Sequence, residues 1–314
     1  MAWRMDDMVA FLRVVEAGSV TGAAGELGLA KSVVSKRLRD LEDALGVQLL
    51  RRTTRRVAAT EQGQALYARM SALLREVDDA VEEVVEGEGP LRGRLRVAAP
   101  MSFGTLHLGP ILLAFARAHP QLELAVDLDD RMLDLVASGA DLAVRIGVSS
   151  DASLIARKLC VARRVLCCSP GYAQERGLPR SLDEIAGHAT IDYANVTATR
   201  LWQFEPVRRG EKPRTVTTRS RIVANNGETM RDAALAGMGL AILPLFIVAP
   251  ALRDGSLIQA LPGEEPVALP ISAVYPPTRR VSRKVRALVD HLVRAFRDPP
   301  PWERERRSAP SARS

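Results

Sequence analysis

The sequence predicts an α/β protein with an N-terminal winged helix-turn-helix, a long linker helix and a C-terminal two-lobed α/β domain. Three observations predict this fold class. Two short helical patterns joined by a tight turn precede a cationic segment. A heptad-spaced apolar stripe then occupies a proline-free helical pattern over residues 64–86. From residue 91 onward, strand and helix patterns alternate, with one of the helices over Met132–Ser138, and this alternation predicts a parallel sheet with helices on both faces.

The helix-turn-helix begins with a short helix predicted from Thr21 to about Leu27, followed by a turn over Gly28-Leu29-Ala30. A second helix is predicted over Lys31–Ala44, with apolar residues at steps of four, three and four along one face. The opposite face carries short hydroxyls and cations, which suit the base edges and phosphates of a major groove. A preceding helix over Asp6–Ala17 is predicted to support the pair.

A wing is predicted after the second helix, as a short apolar strand, a basic hairpin tip and a returning strand. Eight basic and three acidic residues lie between Lys31 and Arg56. A solvated charged helix could also carry such a run, but the order helix, turn, helix and cationic wing favours DNA binding. The residues predicted to contact double-stranded DNA are Ser19, Thr21, Lys31, Ser32, Val33, Ser35, Lys36, Arg52, Thr53, Arg55 and Arg56.

The linker helix carries apolar residues at alternating steps of four and three. Sustained heptad spacing predicts a coiled-coil partner, and the alternative is a helix packed on its own domain. Dimerisation is favoured because an inverted-repeat DNA site requires two recognition helices. The predicted dimerisation residues are Leu66, Met70, Leu73, Val77 and Val84.

Residues 5–64 resemble the DNA-binding domain of LysR-type transcriptional regulators. The resemblance implies a homodimer or homotetramer that binds an inverted-repeat operator, with RNA polymerase as a further candidate partner. Ala30 departs from the family pattern of Ser or Thr, and Lys31 from a common Gln. The matching pieces are Phe11, Gly18-Ser19-Val20-Thr21, Ala23-Ala24, Leu27, Ser32-Val33-Val34-Ser35, Leu41-Glu42, Leu45-Gly46, Arg52-Thr53-Thr54-Arg55 and Thr60-Glu61-Gln62-Gly63.

The C-terminal part resembles the periplasmic-binding-protein-like effector domain of the same family, through Asp141–Gly147 and Ala234–Pro244. Two long extended runs, Ile155–Ser169 and Ala268–Tyr275, are predicted to cross between the lobes. The predicted domains are residues 1–60 (DNA binding), 61–89 (linker helix and hinge), 90–298 (effector domain, with lobe I about 90–162 and 268–298 and lobe II about 163–267) and 299–314 (a disordered basic tail).

Ligands of such folds bind in the cleft beyond the carboxyl ends of the strands. Ser102 and Gly227 are predicted near helix N-termini, whose free N–H groups favour an anion, and Arg145 adds a positive charge. Ser102 could instead be a plain helix cap, and Arg145 could form an ion pair with Asp141 or Asp127. The pattern predicts an organic or aromatic acid as effector. The predicted effector-binding residues are Ser102, Phe103, Arg145, Gly147, Asn195, Asn226, Gly227 and Phe246.

Composition narrows the class of protein. The net charge of the whole chain is +7, and the segment from Arg279 to the end alone carries a net charge of +7. The cluster of cations between Lys31 and Arg56, and not the overall charge, therefore indicates DNA binding. The sequence contains no signal-peptide pattern and no apolar run long enough to span a bilayer, which predicts a cytoplasmic protein without a membrane partner. The histidines show no metal-ligand spacing, and no nucleophile–base pair is evident. The sequence therefore predicts that the protein is not an enzyme and binds neither a metal nor a cofactor.

Three alternatives compete with a ligand-responsive regulator. A redox-responsive regulator would use Cys160, Cys167 and Cys168. A two-lobed solute-binding protein or enzyme could carry an accessory DNA-binding domain. An architectural DNA-binding protein without sequence preference would have no evident use for the large α/β domain.

Overall fold

The computed structural model describes residues 3–52, 57–86, 89–130, 135, 139–148, 151, 153–195, 201–208, 210–277, 281–297 and 299–303. The chain divides into two compact units. The N-terminal unit comprises Met1–Gly89 with Leu133–Gly139, and the C-terminal unit comprises Pro90–Met132 with Ala140–Ser314.

The N-terminal unit is a three-helix domain followed by a two-stranded wing and a long helix. Its apolar core is formed by one face of each of the first three helices, together with Leu49 and Leu50 at the start of the wing. Strands β1 and β2 are antiparallel, with Leu50 opposite Ala59. The elements are α1 (Met5–Ala17), α2 (Val20–Leu27), α3 (Lys31–Leu45), β1 (Leu50–Arg52), β2 (Val57–Ala59) and α4 (Glu61–Glu86).

Hydrogen bonds tie the wing to the helices on either side of it. The Glu42 carboxylate accepts from the backbone N–H groups of Leu49 (2.8 Å) and Leu50 (3.1 Å), which fixes the start of β1 against α3. Thr60 Oγ1 donates to Gln48 O (2.8 Å) and accepts from Gly63 N (3.0 Å), so it caps α4. A side chain at Gly63 would not fit, because its Cβ would lie 2.1 Å from Leu49 O. The wing and α4 are therefore anchored to the same core.

In the C-terminal unit, lobe I is built on a five-stranded sheet in the order β4-β3-β5-β14-β6. Strand β3 is parallel to β4 and to β5, whereas β14 is antiparallel to β5 and to β6. A helical segment follows β3, and its central turn is a π-helix over Gly104–Leu108. The elements are β3 (Gly93–Ala99), α5 (Met101–Phe103), α6 (Gly109–Ala118), β4 (Leu122–Leu128), β5 (Leu142–Ile146), β6 (Ile155–Ala162), β14 (Leu269–Tyr275) and α10 (Arg283–Ala295).

Lobe II is built on a second five-stranded sheet in the order β11-β8-β12-β7-β13, with a small antiparallel hairpin of β9 and β10 beside it. A 3-10 helix spans Asp183–Gly187. The elements are β7 (Arg164–Cys168), α7 (Pro170–Arg176), β8 (Thr190–Tyr193), β9 (Leu201–Phe204), β10 (Arg214–Thr217), β11 (Ser220–Ala224), α8 (Gly227–Leu235), β12 (Leu240–Pro244), α9 (Leu245–Arg253) and β13 (Ile258–Gln259).

The predicted two-lobed α/β fold is confirmed, and the extended run Ile155–Ser169 is where the chain first crosses between lobes. Its first half is β6 of lobe I and its second half is β7 of lobe II, with Arg163 between them. The prediction of parallel sheets was wrong in one respect, since both sheets are mixed. A strand that enters from the other lobe runs against its neighbours, as β7 does beside β12 and β14 beside β5.

Other departures are local. Helix α9 and the β9–β10 hairpin were not predicted, because Pro250 lies inside the first and the strands of the second are only four residues long. The predicted tail begins too early: residues 299–303 are packed, and Trp302 is only 5% exposed. Its apolar ring outweighs the charged and proline-rich composition around it. The predicted helix over residues 132–138, the wing tip at 53–56 and the tail at 304–314 lie outside the described residues, apart from the single position Leu135.

Candidate DNA-binding surface and effector cleft

The recognition helix α3 has one packed face and one free face. Val34, Leu38 and Leu41 are buried in the N-terminal core. The free face carries exposed cations and a hydroxyl at its first turn, and Val33 beside them is 40% exposed. Such an apolar side chain can contact a thymine methyl group, while Lys and Ser reach acceptors on base edges and phosphates. The exposed polar residues of this face are Lys31, Ser32, Lys36 and Arg39, with Ser35 half-buried between them.

The other predicted DNA contacts have different positions. Ser19 caps α2, since its Oγ accepts from Gly22 N at 3.0 Å, and Thr21 is exposed in the first turn of that helix. Arg52 closes β1 opposite Val57, although its side chain is not among the described ones. Thr53, Arg55 and Arg56 lie outside the described residues.

The apolar stripe of helix α4 has a packed part and an exposed part. Leu66 and Met70 pack against the N-terminal core, together with Leu74. In contrast, Leu73 is 52% exposed and Val77 is 48% exposed. Exposed large apolar residues one turn apart on a helix indicate an unfilled packing face. The side chain of Val84 is not described.

The carboxyl ends of the lobe I strands face the start of α8 in lobe II, and direct hydrogen bonds link the two sides. The hydroxyl of Ser102, in α5, donates to the carboxylate of Glu228, in the first turn of α8. Asn195 Nδ2 donates to the backbone oxygen of Asp130 at 2.9 Å, which is a second bond between the lobes. Ser102 and Asn195, which were predicted to bind an effector, therefore each bond to a residue of the opposite lobe.

A carboxylate of the protein itself lies at each of the two helix N-termini of this cleft. Asp130 Oδ1 accepts from Met101 N at 2.9 Å, at the start of α5, and Glu228 lies in the first turn of α8. Asn226 caps α8, because its Oδ1 accepts from Thr229 N at 2.9 Å, and its amide donates to Glu228 at 3.1 Å. Positions that favour an anion are thus filled by side chains.

The carboxylates of Asp130 and Glu228 lie close enough for their charges to repel each other. Burial raises the pKa of Asp130 above its ordinary value, and the charges of Glu228 and Asp129 raise it further. Hydrogen bonds from Met101 N–H and Asn226 act in the opposite direction. The cleft is therefore a region of negative charge in which a hydrogen-bond donor or a cation would be stabilised.

Several predicted effector residues have structural roles. Phe103 is fully buried and Phe246 is 5% exposed, so neither ring presents a face to the cleft. Gly227 permits the close approach of the lobes, since a Cβ there would lie 2.4 Å from Ile247 Cδ1 and 3.2 Å from Ser102 Oγ. Arg145 has Asp151 as an electrostatic neighbour. Gly147 donates its N–H to Pro270 O at 2.8 Å, next to the crossover.

Asp130 and Glu228 were not predicted, because the sequence indicated groups that hold an anion in this cleft. A positional signal existed for Asp130. It lies two residues after the end of β4, at the same sheet edge as Ser102, which lies three residues after the end of β3. Tyr193, whose hydroxyl accepts from Asn195 Nδ2 at 3.4 Å, was also missed and ends β8.

The three cysteines are buried in strands. Burial raises the pKa of Cys167 to about 12, with the neighbouring Cys168 adding to the effect, and burial raises the pKa of Cys168 to about 11. Adjacent residues of a strand point to opposite faces, and these two pack in different core clusters. Because the thiolate is the reactive form, these thiols are poorly placed for redox sensing.

We therefore expect no thiol to react with an aromatic disulfide reagent in the native protein on a timescale of minutes, and all three to react after unfolding in denaturant. Peroxide treatment should leave DNA affinity unchanged. Rapid labelling of one native thiol, together with altered DNA affinity after oxidation, would instead support the redox-responsive alternative.

The described residues contain no group of three or more His, Cys, Asp and Glu side chains arranged to hold a metal ion. Within the same part of the chain, no helix is both long and apolar enough to cross a membrane.

Comparison with known proteins decides the family. The model of the LysR substrate binding domain matches residues 88–297, and the model of the bacterial regulatory helix-turn-helix protein of the lysR family matches residues 5–64. The chain belongs to the LysR family of transcriptional regulators. It is accordingly a LysR-type DNA-binding regulator, and its C-terminal unit is the domain that receives small-molecule effectors.

Individual relatives of this LysR-type regulator cover nearly its whole length. It is 38% identical to the HTH-type transcriptional regulator PtxR of Pseudomonas aeruginosa, over 92% of this chain and 91% of that protein. It is 35% identical to the HTH-type transcriptional regulator DmlR of Escherichia coli, over 93% and 94%.

Two solved structures of LysR-type regulators share the fold. The virulence activator AphB of Vibrio cholerae superposes with a TM-score of 0.60 at 27% identity, covering 92% of this chain and 98% of AphB. CrgA of Neisseria meningitidis superposes with a TM-score of 0.58 at 29% identity, covering 93% and 98%.

Proposed function

We propose that this LysR-type regulator acts in the cytoplasm as a homodimer or homotetramer that binds an interrupted inverted repeat. The recognition helix α3 of each subunit enters a major groove, with Lys31, Ser32, Val33, Ser35 and Lys36 at the bases and flanking phosphates. The wing, with Arg52, Thr53, Arg55 and Arg56, contacts phosphates or a minor groove. Transcription then changes through contacts with RNA polymerase.

The exposed apolar pair on α4 supports the dimer. Leu73 and Val77 lie four residues apart on one face of the helix, and each is about half exposed. A partner helix packed against this pair would bury them in the heptad manner that their spacing predicts. Leu66 and Met70 contribute indirectly, because they hold α4 on the N-terminal core.

We infer that the effector of this regulator enters the cleft at the Ser102–Glu228 hydrogen bond and carries hydrogen-bond donors, with an ammonium group as the favoured feature. The observation that carries this inference is the pair of carboxylates, Asp130 and Glu228, at the two helix N-termini of the cleft. An ammonium ion between them would relieve their mutual repulsion. Insertion of the ligand would replace the Ser102–Glu228 bond and change the lobe arrangement.

An organic or aromatic acid, which the sequence favours, is the second candidate. It is supported by Arg145, near the carboxyl end of β5. A carboxylate at the helix N-termini would have to compete with Asp130 and Glu228, which already occupy that position. Phe103 and Phe246 are too buried to stack on an aromatic ring. The geometry therefore favours the donor class over the acid class.

A thermal-shift screen with matched pairs of ligands separates the two classes. Each pair has one carbon skeleton and differs only in its polar group, such as benzylamine and benzoate. A ligand at a hundredfold excess over its Kd stabilises the native state by about 2.7 kcal/mol, which corresponds to a rise in Tm of roughly 5 °C or more. We expect at least one amine to produce this shift in the parent protein.

The variants Asp130→Asn and Arg145→Ala serve as matched tests of the two classes. Asp130→Asn keeps an oxygen that can accept from Met101 N and removes one negative charge, so the amine response should fall at least tenfold in affinity. Arg145→Ala should respond to amines like the parent. A shift produced only by acids and lost in Arg145→Ala would reverse the assignment, and no response to either class would contradict both.

A further inference from the structure

A short C-terminal segment packs where the two lobes of the effector domain meet. This segment, residues 299–303, is called here the C-terminal strap. It contains a turn in which Glu303 N donates to Pro300 O at 2.9 Å. Trp302 in this turn is 5% exposed and belongs to the main core cluster of the C-terminal unit. The strap is therefore an integral part of the domain.

The indole ring of Trp302 contacts aromatic rings from both lobes. Its centroid lies 4.6 Å from that of His107 and 5.9 Å from that of Phe103, both on the helical segment after β3 in lobe I. The centroid of Phe296, at the end of α10, is 6.1 Å away. From lobe II, Phe246 lies 5.7 Å from Trp302, and its backbone oxygen accepts from His107 Nε2 at 3.0 Å.

The next residue of the strap reaches the point where the chain crosses between lobes. The carboxylate of Glu303 forms an ion pair with Arg163 at 3.6 Å, and Arg163 is the residue between β6 and β7. The backbone oxygen of Arg163 also accepts from Leu245 N, at the start of α9, at 2.8 Å. Residues 302 and 303 thus contact lobe I, lobe II and the crossover together.

The indole ring of Trp302 is linked to the effector cleft through Phe103 and its neighbour Ser102. Phe103, which packs on Trp302, follows Ser102 in α5, and the hydroxyl of Ser102 donates to Glu228 of lobe II. Because side chains in a close-packed cluster move together, the position of the indole ring constrains α5 and therefore the donor in the cleft. The cluster also fixes Phe246, which begins α9 next to Leu245.

We propose that Trp302 is a positioning residue of the effector cleft and that the C-terminal strap sets the balance between closed and open lobes. This inference rests on the proposed role of the cleft as the effector site. The strap holds the closed arrangement by packing and by the Arg163–Glu303 ion pair, whose arginine is largely exposed. Among the described residues, the indole N–H has no acceptor, so ring contacts and not a hydrogen bond hold it. These ring contacts and this ion pair can break without unfolding either lobe.

Hydrogen exchange measured by mass spectrometry on the full-length protein tests the proposal without any ligand. In Trp302→Ala we expect exchange to accelerate by about tenfold or more in two places, residues 100–104 of lobe I and residues 226–230 of lobe II. Strands β8 and β12, in the centre of the lobe II sheet, should exchange as in the parent. Trp302→Phe keeps an aromatic ring and should restore most of the protection.

Glu303→Gln breaks the ion pair with Arg163 without removing a ring, which keeps the test available if Trp302→Ala does not fold. It should accelerate exchange at the same two places to a smaller extent. The proposal is overturned if exchange rises equally in all strands, if it stays unchanged near residues 100–104, or if Trp302→Phe behaves like Trp302→Ala.

A second measurement separates this inference from the choice of effector class. If an amine binds the parent by entering the cleft, it should bind Trp302→Ala more tightly. The reason is that the lobes of this variant already open more readily. If no amine binds but exchange rises locally, the effector class is wrong and the strap inference stands. If an amine binds and exchange is unchanged, the strap inference fails alone.

Discussion

Replacing Ser32 by glutamate will abolish operator-specific binding and leave the N-terminal unit folded. Ser32 is exposed in the first turn of α3, on the face that carries Lys31 and Lys36. A carboxylate there would be repelled by DNA phosphates and by base-edge acceptors. Binding should fall toward the non-specific level, a loss of roughly 10³-fold or more. Folding should be retained because an acidic residue in a first helical turn is stabilising by about 0.5 kcal/mol.

The matched control for this substitution is Gln64→Glu. It introduces the same change of charge at an exposed position of α4 in the same unit, away from the recognition face. The DNA affinities of the variants are compared by fluorescence titration at fixed salt. The specific ligands are fragments that the parent protein enriches from genomic DNA, and a random duplex is the competitor. If Ser32→Glu and Gln64→Glu lose specificity equally, the effect is due to net charge. If Ser32→Glu retains specificity, α3 does not enter the groove as proposed.

Charging the exposed apolar pair of α4 will separate the subunits. In Leu73→Glu combined with Val77→Glu, two negative charges replace apolar side chains that the proposed partner helix buries, and each is matched by an equal charge on the other subunit. The two halves of an inverted repeat would then bind independent monomers. Because linked binding multiplies affinity, we expect DNA affinity to fall by about 10²-fold or more.

Light scattering and sedimentation give the mass of the variant directly. Gln64→Glu is again the control, since position 64 lies on the side of α4 opposite Leu73 when counted at 100° per residue. Circular dichroism should show parent-like helix content in both proteins, because Leu73 and Val77 are not part of the N-terminal core. A parent-like mass for the double variant would show that another surface holds the subunits together.

The DNA-binding unit was predictable because its information is local. The helices of residues 5–45 are specified by apolar spacing over ten to fifteen residues, by glycines at the left-handed positions 18, 28 and 46, and by a cluster of cations. Helix ends were predicted to within about three residues. The two-lobed fold was predictable for a related reason, since alternating strands and helices can be seen along the chain without knowledge of their partners.

The chemistry of the effector cleft was not predictable, because it depends on which residues meet across the lobes. The sequence indicated donors and a cation at Ser102, Gly227 and Arg145. The tertiary structure placed Glu228 and Asp130 at the same helix N-termini, and thereby reversed the sign of the charge in the cleft. Neither carboxylate is near Ser102 in the sequence, so no local pattern connects them.

The sequence by itself determined the family, the order of the domains and the polar face of α3 that is proposed to meet DNA, because periodicity and local charge are properties of neighbouring residues. Only the tertiary structure decided what surrounds each buried group. It placed Phe103 in a cluster of rings with Trp302, separated Cys167 and Cys168 into different core clusters, and left Leu73 and Val77 exposed beside the packed Leu66 and Met70. The reason is physical: burial and electrostatic repulsion depend on distances between residues that are remote in the chain.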